Sequence, residues 1–227
     1  MTKRKTLISF IGSRGAGKTT IANELIKNLE SCGYHTLRQH SGLAGGITFK
    51  SVYNAIVLWR YFDWEVMKKI GFCGRSRRVF PSLYRIYLPL ALSKDISELK
   101  RGTDVLIYDS NFLRGIMQAL MHQEIDLCEI VSFYNRKLLS KLDKVIIAVV
   151  DTDPRVAISR WIERDCAKVS AEEVDIEIKN RVLLQKVVDI IVDALSNLPK
   201  VEVIRLKGEN QIETNVKDIL NYVNKSV

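Results

Sequence analysis

Along the chain, short apolar runs alternate with longer stretches in which apolar residues recur every three or four positions. Residues 7–11, 105–108 and 145–150 are nearly continuous apolar runs, too short for helices and bounded by turn or charge signals, which predicts strands buried on both faces. Residues 34–37, after the break at Gly33, predict a weaker strand, and 201–206 alternate as a strand nearer the sheet edge does. Between them the period changes. Ile21, Leu25 and Leu29 recur at helical spacing; Val174, Ile178, Val182, Ile190, Ile191, Ala194 and Leu198 predict one long helix, or two, over 171–198. Ile212, Val216, Ile219, Leu220 and Val223 predict a final helix that closes the core. Strands alternating with helices in this way predict an α/β fold with a parallel sheet, right-handed crossovers and helices on both faces.

A length of 227 residues suits one sizeable domain, 1–227, with insertions, and neither repeats nor a low-complexity linker divides it. The segment 42–100 fits the alternation least. It opens on Gly42, Gly45 and Gly46 and then mixes aromatics such as Trp59, Phe62, Trp64 and Tyr84 with Arg60, Lys68, Arg75, Arg78 and Arg85. In a parallel α/β phosphotransferase, helices covering the acceptor are inserted at this point, between the second and third strands. Ordinary helix core with a solvated charged face accounts for most of the same residues. Residues 75–78, Arg-Ser-Arg-Arg after Gly71 and Gly74, read as a basic loop that phosphate or anionic lipid would satisfy.

Charge admits several partners. The 35 basic residues against 26 acidic ones leave a formal +9, which suits nucleic acid, a membrane surface or a polyanionic small molecule equally. No apolar stretch is a membrane span, because the longest, 79–92, contains Arg85 and two prolines, and no secretory signal is visible. Cys32, Cys73, Cys128 and Cys166 are widely spaced and accompanied by three histidines, which suggests neither a disulfide framework nor zinc. Buried or partly buried thiols in a reducing cytoplasm are expected, with surface attachment to a membrane left open.

The strongest chemical signal follows the first predicted strand. Gly12-Ser13-Arg14-Gly15-Ala16-Gly17-Lys18-Thr19 fits the phosphate-loop pattern G-x-x-x-x-G-K-[ST], with Thr20 continuing into the helix. The glycines let backbone N–H groups turn around phosphate oxygens, and the helix N-terminus offers its positive end to the same anion. Lys18 would reach the β- and γ-phosphates of ATP, and the Thr19 hydroxyl would serve as one oxygen ligand of Mg²⁺. Two further strands end on aspartates, Asp109 and Asp151, where parallel sheets bind ligands. Asp109 is expected to hold Mg²⁺ or to orient and deprotonate an acceptor hydroxyl, capping of its strand being the alternative. Asp151, in Asp151-Thr152-Asp153-Pro154, belongs rather to the N-cap region of the next helix. On that helix Arg160 and Arg164 lie four apart, so both could stabilise a phosphoryl group in transfer, unless Glu163 and Asp165 pair them at the surface.

Together these residues resemble the thymidylate kinase-like members of the P-loop nucleoside and nucleotide kinases. The likeness rests on the phosphate loop, the Asp109 strand end, and the segment Asp151-Thr152-Asp153-Pro154-Arg155-Val156-Ala157-Ile158-Ser159-Arg160 followed by Arg164. It implies a three-layer P-loop NTPase fold with strand order 2-3-1-4-5, a lid within 152–172 and phosphoryl transfer from ATP with Mg²⁺. Two positions depart from the family. Arg14 stands where those enzymes commonly carry an aspartate near the acceptor's sugar, and Ser110 stands where an arginine follows the third-strand aspartate. Arg14 therefore implies a more anionic or differently shaped acceptor, with Arg75, Arg78 and Arg114 as further acceptor-side candidates. The acceptor expected is a small anionic molecule, a nucleotide or a sugar, glycolipid or other phosphorylated metabolite. A polynucleotide kinase or other nucleic-acid-acting ATPase, and a non-catalytic, membrane-recruited nucleotide switch, are the alternatives.

Overall fold

Five parallel strands carry the structure, a computed structural model that describes residues 4–39, 102–109, 127–137 and 139–224. The strands are β1 (Thr6–Ile11), β2 (Thr36–Gln39), β3 (Val105–Tyr108), β4 (Lys144–Asp151) and β5 (Val201–Lys207). Their order is β2-β3-β1-β4-β5, as the family resemblance implied. Thr6 of β1 stands opposite Val105 on one side and Lys144 on the other, so the three central strands start level. They differ in length, β3 stopping two residues short of the end of β1 and β4 running two past it, and the phosphate loop, Asp109 and Asp151 lie along the same edge.

All six residues of β1 and all four of β3 are buried, which is why their sequences read as nearly continuous apolar runs, broken in β1 only by the buried Thr6 and Ser9, rather than as alternations. Successive side chains serve opposite cores. Ile8, Phe10, Ile107, Ile146 and Ala148 meet α1 (Lys18–Ser31) and α5 (Ile212–Asn224) through Leu25, Leu29, Val216 and Ile219. Leu7, Ile11, Leu106, Val145 and Ile147 meet α2 (Leu127–Lys137) and α4 (Ala171–Ser196) through Val131, Val188, Ile191 and Leu195. Among the described residues the remaining α-helix, α3 (Pro154–Asp165), packs on α4. Among the described residues, no helix is long and apolar enough to cross a membrane.

Three expectations need correction. The second strand lies two residues later than the predicted 34–37. The reason is the end of α1: Gly33 N–H donates to Glu30 O and Tyr34 N–H to Leu29 O, with Gly33 at φ 79°, so Tyr34 still belongs to the helix-closing turn. Over 171–196 one helix forms, and the predicted apolar face holds only in part: Ile191 is buried and Ala194 and Leu198 pack on the core, but Val182 and Ile190 are 46% and 55% exposed, and Val187, Val188, Val192 and Leu195 are buried instead. Steps of four residues, as in 174-178-182, advance about 40° around a helix each time. That stripe winds away from the sheet. The cysteines are the third correction: Cys32, Cys128 and Cys166 are exposed, Cys32 and Cys166 because they occupy the C-caps of α1 and α3, while Cys73 lies outside the described residues.

Ser170 starts α4 with a capping box, accepting from Glu173 N–H while the Glu173 carboxylate accepts from Ser170 N–H at 2.8 Å. The backbone N–H of Ser170, followed by its hydroxyl, holds the Glu173 carboxyl below its ordinary pKa. This cap fixes where the long helix begins, and so which of its residues reaches the phosphate loop.

Candidate functional site

Between β1 and α1, Gly12–Thr19 folds into a tight loop that opens α1 with Gly17 as its N-cap. No side chain caps that helix end and no acidic residue occupies its first turn, which leaves the positive end of α1 for an anion. Lys18 Nζ lies across the loop mouth, donating to Gly12 O at 2.8 Å and to Ser13 O at 2.6 Å. Ala16 N–H donates to Ser13 O at 3.2 Å and closes the turn. Gly15 has φ +85°, and a Cβ there would meet Ala157 O at 2.0 Å, so only glycine lets the loop rest against α3. Thr19 and Thr20 are exposed at the start of α1.

Across β1 from α3, Asp109 follows β3 and is only 6% exposed. Arg38, near the end of β2, donates from Nη2 to Asp109 Oδ2 at 2.7 Å and from Nη1 to Asn23 Oδ1 on α1. Sequence reading missed Arg38. With the second strand ending at Leu37 it was a loop residue; with β2 at Thr36–Gln39, Arg38 pairs in register with Ile107, two residues before Asp109.

The opposite side of the loop is a dense arginine cluster. Arg14 forms an ion pair with Asp165 and lies 5.2 Å from the centre of the Trp161 ring. Asp165 also accepts from Arg164 Nε at 2.8 Å and from Trp161 Nε1 at 2.8 Å. The Arg164 bond is the main reason that the Asp165 carboxyl sits below its ordinary pKa, and the same bond raises Arg164 above its own. Arg14 and Arg164 are thus both engaged at the end of α3, the surface pairing that was the alternative for Arg164. Arg160 is not with them: its Nη1 donates to Gly208 O at 3.0 Å. Arg160 and Arg164 thus share a face of α3 without sharing partners, as four-residue spacing allows.

Arg160 instead borders a cleft of about 580 Å³ lined by Gly17, Thr20, Ile21, Gly208 and Ile212. This cleft adjoins the N-terminus of α1, on the β5 side of the phosphate loop. Gly208 N–H donates to Asp151 O at 2.7 Å, and Thr152 Oγ1 to Ala16 O at 3.4 Å, so the loop after β5 is tied to the same strand ends. The segment 152–172 holds α3, the turn at Cys166 and the capped start of α4. Asp153, not Asp151, is the N-cap of α3, accepting from Arg155 N–H at 2.8 Å and Val156 N–H at 3.3 Å, with Pro154 next. Asp151 turns the other way, accepting from Gln185 Nε2 and Arg205 Nη1, each at 3.2 Å.

A second residue that sequence reading missed is Arg181 on α4. It is 7% exposed, and its Nη1 donates to Arg14 O at 2.6 Å and to Ser13 Oγ at 3.3 Å. Its signal in the sequence is a basic residue seven before Val188, in line with Val188 and Leu195. Arg75, Arg78 and Arg114, the other acceptor-side candidates, lie outside the described residues, as does the segment 42–100.

No protein-family model matches the chain, and no curated protein matches it. Solved structures do. A deoxyadenosine kinase from M. mycoides, solved with the product dCMP and a flexible dCDP bound, aligns over 96% of this chain and 98% of its own, with 21% identity and a TM-score of 0.51. The same enzyme with dATP bound aligns over 96% and 100%, with 19% identity and a TM-score of 0.50. This chain shares the P-loop kinase fold.

The phosphate loop and the end of β3 carry residues of the kind that fit a magnesium ion bound with a nucleotide. Mg²⁺ in such sites takes one or two protein oxygens and fills its octahedron with phosphates and waters. The Thr19 hydroxyl at the start of α1 and the Asp109 carboxylate after β3 are the oxygens that would make up such a set. Among the described residues, no cluster of three or more metal-ligating side chains would build an all-protein cage.

Proposed function

We propose that this protein is an ATP-dependent phosphotransferase that passes the γ-phosphoryl group to a small-molecule acceptor, with nucleosides and nucleotides as the first acceptor class to test. The observation that carries the reading is the juxtaposition, at the carboxyl ends of neighbouring strands, of a lysine held across the phosphate loop that follows β1 and a buried aspartate that follows β3. Phosphoryl transfer asks mainly for positioning and charge stabilisation, and these groups supply both. The bound names of the fold neighbours, dCMP, dCDP and dATP, favour nucleoside-type acceptors over sugars or lipids.

In this reading the phosphate-loop N–H groups and the start of α1 hold the β- and γ-phosphates, and Lys18 swings from Gly12 O and Ser13 O to the phosphate oxygens. The cleft bordered by Arg160 receives the nucleobase of the donor. Asp109 orients the acceptor hydroxyl and takes its proton as the new O–P bond forms and the bond to the β-phosphate oxygen breaks, releasing ADP. Arg38 keeps that carboxylate in place. Thr19 and Asp109 would hold Mg²⁺, which neutralises charge on the phosphates. Arg14, engaged with Asp165 on α3, belongs to the loop's outer wall rather than to the acceptor.

ATP consumption across a panel of deoxynucleosides, nucleoside monophosphates, sugars and lipid-linked acceptors, with Lys18→Ala as the control, tests the reading. Acceptor-dependent ADP release by the wild type alone is expected. ADP release by neither protein across the whole panel would sink it.

A further inference from the structure

Arg181 is a long way in sequence from the phosphate loop, yet it is the side chain that grips the loop from behind. Its guanidinium leaves α4, lies 6.0 Å from the centre of the Trp161 ring, and gives both observed hydrogen bonds from Nη1, to Arg14 O at 2.6 Å and Ser13 Oγ at 3.3 Å. The side chain is only 6% exposed, and its one acidic ion-pair neighbour among the described residues, Glu177, stands 3.8 Å from Nε, beyond hydrogen-bond distance. Burial lowers its pKa from the ordinary arginine value, and Glu177 only partly opposes this. Arginine still carries its charge at neutral pH.

A buried cation with a weak counterion is costly unless something repays it. In an ordinary structural pair the carboxylate would sit closer. Here the closest acceptor is a carbonyl of the phosphate loop itself. A trans peptide unit points its C=O and N–H in opposite directions, so a donor that holds Arg14 O toward α4 turns Gly15 N–H away from α4. Gly15 is pressed at the same time against Ala157 of α3, which leaves that peptide plane little freedom.

We propose that Arg181 is a positioning residue for phosphate binding: by anchoring Arg14 O it aims Gly15 N–H at the bound phosphate, and its charge lies behind the loop where the polyphosphate repays its burial. This rests on the phosphate-loop reading under Proposed function. It makes anion affinity depend on a helix that follows the whole of α3 in sequence, so the capped start of α4 and the phosphate site are mechanically one unit.

The test uses the full chain, with ATP and inorganic tripolyphosphate as probes in calorimetric titrations. Arg181→Met, which keeps bulk but loses the donors and the charge, is expected to weaken both probes by the same factor, about tenfold to a hundredfold. Wild-type affinity in Arg181→Met, with or without a lower melting temperature, overturns the inference. Because that variant could fail to fold, amide hydrogen exchange on the wild type gives a second reading. Tripolyphosphate is expected to protect the Gly15 amide, and unchanged exchange at Gly15 overturns the inference by itself. The two readings fail differently: a wild type that binds neither probe sinks the phosphate-loop reading and this inference with it. A wild type that binds both while Arg181→Met binds them equally well sinks this inference alone.

Discussion

β3 and β4 flank the same central strand and each ends near an aspartate, but the two carboxylates live in different surroundings. Asp109 is 6% exposed and is held by Arg38 from the neighbouring strand, whose other nitrogen is fixed to Asn23 of α1. Asp151 is partly exposed and shares its oxygens between Gln185 of α4 and Arg205 of β5, on a surface where Arg205 also pairs with Asp189 at 2.7 Å. Topology alone gave both residues the same claim to chemistry. What separates them is burial and the described partners: a buried carboxylate held by an arginine of the neighbouring strand is poised, whereas one spread over surface partners is a brace between elements.

The largest effect should come from the group both aspartates are measured against. Lys18→Ala removes the cation at the loop mouth, and transfer is expected to fall about a thousandfold, as when a preorganised charge-stabilising donor is lost. Steady-state ADP release measures it. A loss below tenfold would mean that the loop is not the donor site, and the contrast between Asp109 and Asp151 would lose its frame.

Asp109→Asn comes next and addresses the contrast directly. The amide keeps the shape and can no longer accept a proton, so turnover should fall about a hundredfold, the scale of general-base contributions, while ATP affinity changes little. Turnover and calorimetric affinity have to be measured on the same preparation. Unchanged turnover would reduce Asp109 to a strand cap. Arg38→Met is expected to be milder on turnover, about tenfold, and to destabilise the fold by about 1–3 kcal/mol, because it removes a charged donor from a buried carboxylate. Denaturant midpoints check the second part. If Arg38→Met were slow without being less stable, the arginine would act on the acceptor rather than through Asp109.

How far the sequence made this contrast visible depends on what each residue type advertises. The central strands were legible because burial on both faces leaves no polar alternation to misread, and the phosphate loop because its backbone geometry demands glycines at fixed spacing. Arg38 was hidden by the closing turn of α1, which recruits Tyr34 N–H and delays β2 by two residues. Arg181 was hidden because α4 uses an apolar stripe for the sheet and continues it with a charged residue that serves the loop. The partners of Arg160 and Arg164 were equally out of reach, since helical spacing fixes a shared face and says nothing of what stands opposite. Gly208 and Asp165 settle that in three dimensions.

Asp151→Asn should give the smallest change, and its smallness is the informative part. The side chains of Asp151 and Arg205 are 38% and 47% exposed, and exposed pairs of this kind contribute under about 1 kcal/mol. Gln185 can still donate to the amide oxygen, and Arg205 retains Asp189. Turnover is therefore expected within about twofold of wild type, the range that surface substitutions leave. A fall as large as that of Asp109→Asn would show that the β4 end takes part in transfer after all. It would also mean that the backbone bond from Gly208 N–H to Asp151 O, which links this strand to the cleft beside Arg160, transmits more than position. The pair of aspartate variants, measured with one acceptor and one donor, thus decides whether burial and partner, rather than place at a strand end, make a carboxylate catalytic in this fold.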